Sequence, residues 1–221
     1  MKKLEIAQLE QWLNTLAGEK TVYLPVEEAD QVNYAAWAEG KTARLDCLRT
    51  VKSAKDVFFP QVENLLRMRM DGKKIEVHQA DVLEEEFVVL GVRACDLRSF
   101  EILDRVFLSD PVDPFYQARR EHGTVVTLAC SQPDENCFCT NFGIDATDPL
   151  GDATMWLVGD ALYLRANTEK GEALLASLPE GAGEDKVEKQ QAATRKILEN
   201  LPFGKLNLAG FDGEHLMEKF D

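Results

Sequence analysis

The chain has 221 residues with 39 acidic and 25 basic side chains, a formal net charge of −14, in an ordinary mix of 45% hydrophobic and 29% charged residues. That length buries about 70% of the unfolded surface without disulfides. The negative charge repels phosphates and so excludes nucleic acid and anionic membrane surfaces as partners. No apolar run reaches the ~20 residues of a membrane span, and the Met1-Lys2-Lys3 start leads into an amphipathic stretch, which points to a cytoplasmic protein.

Residues 3–17 place Leu4, Leu9, Trp12, Leu13 and Leu16 at helical spacing, with Gly18 as the stop. Residues 21–26 and 32–37 read as short strands, the first weakened by Pro25. Residues 40–59 are irregular and basic. Pro60, followed by Val62, Leu65, Leu66 and Met70, predicts a helix that ends near Asp71-Gly72.

The middle third alternates. Residues 87–92 form a continuous apolar run, as expected of a strand covered on both faces. Asp96 is placed to cap a helix whose inner face is Leu97, Phe100, Ile102, Leu103, Val106 and Phe107. A turn-rich break at residues 109–114 precedes a short basic helix at 115–121, and a second apolar strand follows at 124–129. Strand, helix and strand at this spacing predict a parallel unit with a right-handed crossover. In the last third, residues 155–158 and 161–165 flank Gly159-Asp160 as a hairpin, and helices are expected at 172–178, 184–201 and 211–221. The fold class is therefore α/β, a small parallel or mixed central sheet with flanking α+β segments. Three regions are expected: an N-terminal α+β segment (1–54), an α/β core with a cysteine rim (55–150), and a hairpin with C-terminal helices (151–221).

Five cysteines, Cys47, Cys95, Cys130, Cys137 and Cys139, stand out, three of them within ten residues. In a reducing compartment such a cluster is more often a set of metal ligands or catalytic thiols than of disulfides. Ligands of open parallel sheets bind at the carboxyl ends of the strands. Cys95 and Cys130 fall at or just past two such ends, and the loop carrying Cys137 and Cys139 is long enough to fold back over that rim. Four thiolates suit an iron–sulfur cluster or a tetrahedral zinc. The spacing lacks the paired C-x-x-C knuckles of structural zinc, and His78, His122 and His215 are scattered. Packed or redox-active thiols are the remaining alternative, and Cys47 is expected to have no role. Arg93, Arg98, Arg119 and Arg120 flank the cysteines in sequence, where positive charge would favour thiolates, although each can equally pair with a carboxylate. Asp96 is expected first as a helix cap and second as a group beside the centre. Tyr116 and Phe138 are aromatic packing residues that could line a cofactor edge. Gly181-Ala182-Gly183 follows no buried strand, so it is no dinucleotide fingerprint. There is no P-loop, no G-x-S-x-G and no H-E-x-x-H.

Three blocks carry a resemblance: Gly91-Val92-Arg93-Ala94-Cys95-Asp96-Leu97 with Leu103-Asp104-Arg105-Val106-Phe107; Asp113-Pro114-Phe115-Tyr116 with Arg119-Arg120-Glu121; and Cys130 with Asn136-Cys137-Phe138-Cys139. Together with Lys55 through Leu65 they resemble the iron–sulfur electron-transfer subunits of the sulfhydrogenase beta and anaerobic sulfite reductase A type, over about residues 55–148. The resemblance implies an electron-transfer domain that is not catalytic alone. It would hold one cluster, [4Fe–4S] before other types, on Cys95, Cys130, Cys137 and Cys139, with Arg93, Asp96, Arg119 and Arg120 around it. Its partners would be other oxidoreductase subunits and a ferredoxin-like domain or protein. Members of that family continue into a ferredoxin-like segment with two C-x-x-C-x-x-C-x-x-x-C-P runs, which this chain lacks. It is expected either to be an excised domain or to borrow a ferredoxin from another polypeptide. A zinc-stabilised scaffold and a flavin-dependent reductase domain are the alternatives, although no flavin site is visible in the sequence.

Overall fold

The computed structural model describes residues 1–206, so the helix expected at 211–221 lies outside the described residues. The chain begins with a short strand β1 (Lys2–Glu5) and a 3-10 turn before α1 (Leu9–Ala17). The helix expected from residue 3 therefore starts later. Leu4 is buried from a strand that pairs with residues 161–164, a distant contact helical spacing does not report. Strands β2 (Thr21–Glu28), β3 (Gln31–Ala36) and β4 (Thr42–Ala43) follow, then a one-turn helix α2 (Lys55–Phe58).

The helix expected after Pro60 is instead a two-stranded ribbon, β5 (Leu66–Asp71) and β6 (Lys74–Gln79), turned by Gly72 at φ 59°. The period-two alternation of Leu66, Met68 and Met70 with charged residues governs here, and those three sit opposite Gln79, Val77 and Ile75. The side chains of this ribbon are almost all exposed, Met70 at 73%.

The middle third matches its pattern: β7 (Phe87–Val92), α3 (Ala94–Phe107), α4 (Pro114–His122) and β8 (Gly123–Leu128). Asp113 caps α4 by accepting the N–H groups of Phe115 and Tyr116, each at 2.9 Å, with Pro114 in the first position. In α3, Phe100 is buried and Leu97, Leu103 and Phe107 pack beside it, whereas Ile102 and Val106 face solvent. The hairpin β9 (Ala153–Val158) and β10 (Ala161–Ala166) and the helices α5 (Glu169–Leu175) and α6 (Glu184–Asn200) complete the described chain.

The eight-stranded sheet runs β1-β10-β9-β8-β7-β2-β3, with β4 also on β2. Its centre, β2, β7, β8 and β9, is parallel and its outer pairs are antiparallel, so strands from all three expected regions enter one mixed sheet. Every residue of β7 and β8 is buried. Val88, Leu90, Val126 and Leu128 face the core made with α1 and α5, including Trp12, Leu13, Leu174 and Leu175. Phe87, Val89 and Val125 face the opposite core with Phe58, Phe100 and Tyr116. Each fully buried aliphatic side chain in these layers contributes about 1.5–3 kcal/mol. No helix among the described residues is long and apolar enough to cross a membrane.

One irregularity sets how β7 leaves the sheet. The β7–β8 register slips between Leu90 and Val92, and Gly91 sits at φ 87° with its carbonyl accepting the Tyr34 hydroxyl at 2.9 Å. The bulge moves Val92 onto the Val89 side, where strict alternation would have put it beside Leu90. A Cβ on Gly91 would meet Leu45 Cδ2 and Pro25 Cδ at 3.2 Å each. Gly91→Ala therefore lowers stability by about 1–2 kcal/mol through the left-handed backbone alone, with the steric contact adding to it. A urea midpoint unchanged from the parent chain would show that the bulge relaxes freely.

Candidate metal centre

The carboxyl ends of β7 and β8 are neighbours in register, so the residues just beyond them emerge on one rim. After β7, helix α3 begins at Ala94, which puts Cys95 in its first turn. Asp96 is not the cap: the capping position is Arg93, which offers no side-chain bond, and Asp96 is the third helical residue. Its carboxylate accepts from Ser53 Oγ at 2.7 Å and Lys55 Nζ at 3.0 Å, in the first turn where the helix dipole favours an acid.

After β8, the chain runs from residue 129 to 152 before β9, with only a 3-10 turn at Cys139–Phe142. This loop is tied down throughout. Cys130 N–H donates to Ala146 O at 2.8 Å, Cys137 N–H to Asp134 O at 3.1 Å, and Ile144 N–H to Cys139 O at 3.0 Å. Arg49 pairs with Asp134 at 2.6 Å, and Trp156 Nε1–H donates to Thr147 O at 2.8 Å. The result is one small apolar cluster of Ala94, Cys139, Ala146 and Leu198, with Cys130, Cys137, Ile144 and Leu201 packed on it.

Cys95 completes the set from the α3 side. A hydrogen bond with Cys139 holds the Cys95 thiol down at about 7, against its partial burial and the adjacent Asp96 carboxylate. The same bond, burial, and the charges that Cys95, Cys130 and Cys137 would carry push Cys139 far up. Burial also raises Cys130, and the Arg93 guanidinium opposes that rise. Cys139 thus lies within electrostatic reach of the other three sequence-predicted cysteines and Cys130 within reach of Cys95 and Cys137, and all four are free thiols. They do not close into a coordination sphere: among the described residues, no group of three or more His, Cys, Asp or Glu side chains is arranged around a metal position. The donor set nonetheless fits a thiolate-ligated group, since the four soft sulfurs have no histidine among them. In the same turn, Asn141 Oδ1 is buried with no hydrogen-bond partner.

The arginines separate sharply. Arg93 lies at the rim, where its guanidinium donates to the carbonyls of Leu128, Ala129, Leu45 and Cys47. Arg98 pairs with Glu101 on the outside of α3. Arg119 and Arg120 sit in α4, which leads into the amino end of β8, a full strand length from Cys130. Arg119 pairs with Glu63. Arg120 forks onto Asp104 at 2.8 and 2.9 Å, over the Phe58 and Phe100 rings. Burial pushes the Asp104 carboxyl up, but bonds from Arg120 and Tyr116 outweigh it and hold it low. Tyr116 belongs to that core. Phe138 stands exposed on the cysteine loop, edge-on to Phe142 at 5.6 Å between centroids.

Cys47, expected to have no role, lies close to the rim. It shares a cleft of about 330 Å³ with Cys95, Tyr34, Arg93 and Asp96, its carbonyl binds Arg93, and its thiol donates to Arg49 O at 2.8 Å. A larger cavity of about 420 Å³, lined by Tyr23, Phe87 and Arg119 among others, shares Tyr34 and Ser53 with this cleft but includes no thiol.

The fold and site define a mixed α/β sheet protein with a thiol-lined carboxyl rim. Over 169 residues, 76% of the chain, it is 30% identical to "Sulfhydrogenase 2 subunit beta" of Pyrococcus furiosus, and it is related to that subunit across the matched region. The chain spans about half the length of that relative, 49%. No protein-family model and no solved structure matches the chain.

In the metal-free, reduced protein Cys95 is the first thiol to alkylate, with a rate that rises through about pH 7 as the thiolate forms. Cys139→Ala removes the hydrogen bond and moves that profile up towards the ordinary thiol range. Peptide mapping after iodoacetamide pulses at several pH values checks both, and an unshifted profile in the variant would show that Cys139 does not set it.

Proposed function

We propose that this chain is an electron-transfer domain of a multisubunit oxidoreductase of the hydrogenase or sulfite-reductase type, holding one iron–sulfur cluster on Cys95, Cys130, Cys137 and Cys139. The observation that supports this most is the approach of four free thiols at one sheet rim: Cys130, Cys137 and Cys139 share one small apolar cluster, and Cys95 bonds to Cys139 from the α3 side. The relation to a sulfhydrogenase beta subunit supports the same class. A bound [4Fe–4S] cluster would supply one-electron chemistry.

The chain's own residues perform the rest. The Cys130–Ala146 and Cys139–Ile144 backbone bonds fix the loop thiols, and α6 closes the inner side through Leu198. Cys95 is exposed and Cys139 buried, so one edge of the centre meets solvent or a partner while the other is shielded. A reducing, cytoplasmic setting belongs to this reading, and other oxidoreductase subunits and a ferredoxin-like domain or protein would be the partners.

Anaerobic reconstitution with iron and sulfide, followed by electron paramagnetic resonance of the dithionite-reduced protein, tests this. The wild-type chain gives a cluster signal. Cys137→Ser and Cys139→Ser each reduce it at least tenfold, and Cys47→Ser leaves it intact. A colourless protein carrying stoichiometric zinc, or a signal that survives both loop substitutions, would overturn the assignment.

A further inference from the structure

Four arginines neighbour the cysteines in sequence, and the structure neutralises three of them: Arg98 by Glu101, Arg119 by Glu63 and Arg120 by Asp104. Arg93 differs. Its side chain is half-buried, and it donates to Ala129 O and Leu45 O at 3.2 Å, Cys47 O at 2.9 Å and Leu128 O at 3.5 Å. Carbonyls satisfy its N–H groups without cancelling its charge. The carboxylates nearest to it are already engaged: Arg44 holds Asp46 from two nitrogens at 2.9 and 3.0 Å, and Lys55 and Ser53 hold Asp96. Among the described residues no carboxylate pairs with Arg93, in a chain whose acids outnumber its bases by fourteen.

A partly desolvated cation is normally paired, because removing its water without a counter-charge is costly. Asp46 also feels the Arg93 charge but is held by Arg44, which leaves the rim thiols, Cys130 first, as the uncommitted groups in reach that can supply negative charge. Arg93 lies two residues before Cys95, and its fork grips the carbonyl that precedes Cys130 and the carbonyl of Cys47.

We propose that Arg93 is the counter-charge of the thiolate centre, held by carbonyls at the junction of β7, β8 and the 45–47 segment so that its full charge faces the sulfurs. This rests on the thiolate centre of the proposed function and adds to it a positioning residue that sets how readily the centre accepts an electron. Each one-electron reduction, by a ferredoxin-like partner that is itself oxidised by one electron or by dithionite in the titration, adds one negative charge to the centre, with no protein bond made or broken. A fixed cation beside it stabilises the reduced state and raises the potential. The Gly91 bulge shifts the strand register immediately before this side chain.

The test compares Arg93→Gln, Arg93→Lys and Arg98→Gln in the reconstituted chain by redox titration. Arg93→Gln lowers the equilibrium constant for reduction about tenfold, a downward shift of about 59 mV for one electron. Arg93→Lys, which keeps the charge but loses the fork, changes it less than threefold, and Arg98→Gln leaves it unchanged. A purely structural role predicts instead that Lys and Gln shift the potential alike. That outcome, or an unchanged potential in Arg93→Gln, overturns the proposal. If the Gln variant does not fold, a tenfold shift in Arg93→Lys overturns it equally. Cobalt(II) titration of the metal-free chain, read by thiolate charge-transfer absorbance, gives a second measure, with binding about tenfold weaker in Arg93→Gln and within threefold in Arg93→Lys. A wild type that takes up neither cluster nor cobalt removes the thiolate centre and this inference with it. A wild type that takes up the cluster, with a potential indifferent to residue 93, removes this inference alone.

Discussion

The parallel pairing of β7 with β8 is the constraint on which the rest of the molecule depends. Both strands are buried along their whole length, so a one-residue slip would turn Val88 and Leu90 out of one core and Phe87 and Val89 out of the other. That double burial fixes the relative height of the two strand ends. Cys95 and Cys130 therefore arrive at one rim as a consequence of packing far from either thiol. The single permitted irregularity, at Gly91, falls where β7 stops serving the core and begins serving the rim.

Charge organises the rim once the strands have built it. Thiols this close cannot all ionise independently, so the hydrogen-bonded pair divides its proton, with Cys95 the acid of the two and Cys139 the group that keeps the hydrogen. Assembling four thiolates there requires either positive charge or a metal group, and the chain is otherwise strongly acidic. The carboxylates around the cleft are correspondingly occupied, Asp134 by Arg49, Asp96 by Lys55 and Asp46 by Arg44. The acidity of the chain is thus locally tied up beside the sulfurs, and the surface keeps the rest.

The core strands, and the position of Cys95 and Cys130 just past two of them, were legible in the sequence because both depend on local pattern: an unbroken apolar run for β7 and β8, and a residue type set just past each run. The failures have a common cause in competition between periods or in distant partners. Leu66, Met68 and Met70 satisfy a strand period better than the helical one that Pro60 suggested, and the Asp71-Gly72 turn fits a hairpin. Leu4 looked helical because its partner, Leu162 of β10, lies far along the chain. Arg119 and Arg120 neighbour a cysteine-bearing strand in sequence, yet α4 delivers them to its opposite end. The approach of Cys47 to Cys95 across the 45–51 segment has no local signature at all.

The connection from β8 to β9 shows how the site found room. Parallel neighbours are usually joined through a helix that covers one face of the sheet, and an ordered stretch this long without one is generally functional. Here residues 129–152 carry only a 3-10 turn, and the face they leave open is covered by α6 from later in the chain. Val187 packs on Trp156 and Tyr163, Gln190 Nε2–H donates to Leu157 O at 2.7 Å, and Gln191 Nε2–H donates to Thr147 O at 3.1 Å. Further along, Leu198 of the same helix reaches the sulfur cluster. Because α6 takes over the covering role, the crossover itself is released to carry Cys130, Cys137 and Cys139. A disturbance of α6 would then reach the cysteine loop through Leu198 and Thr147, without any change in the cysteines themselves.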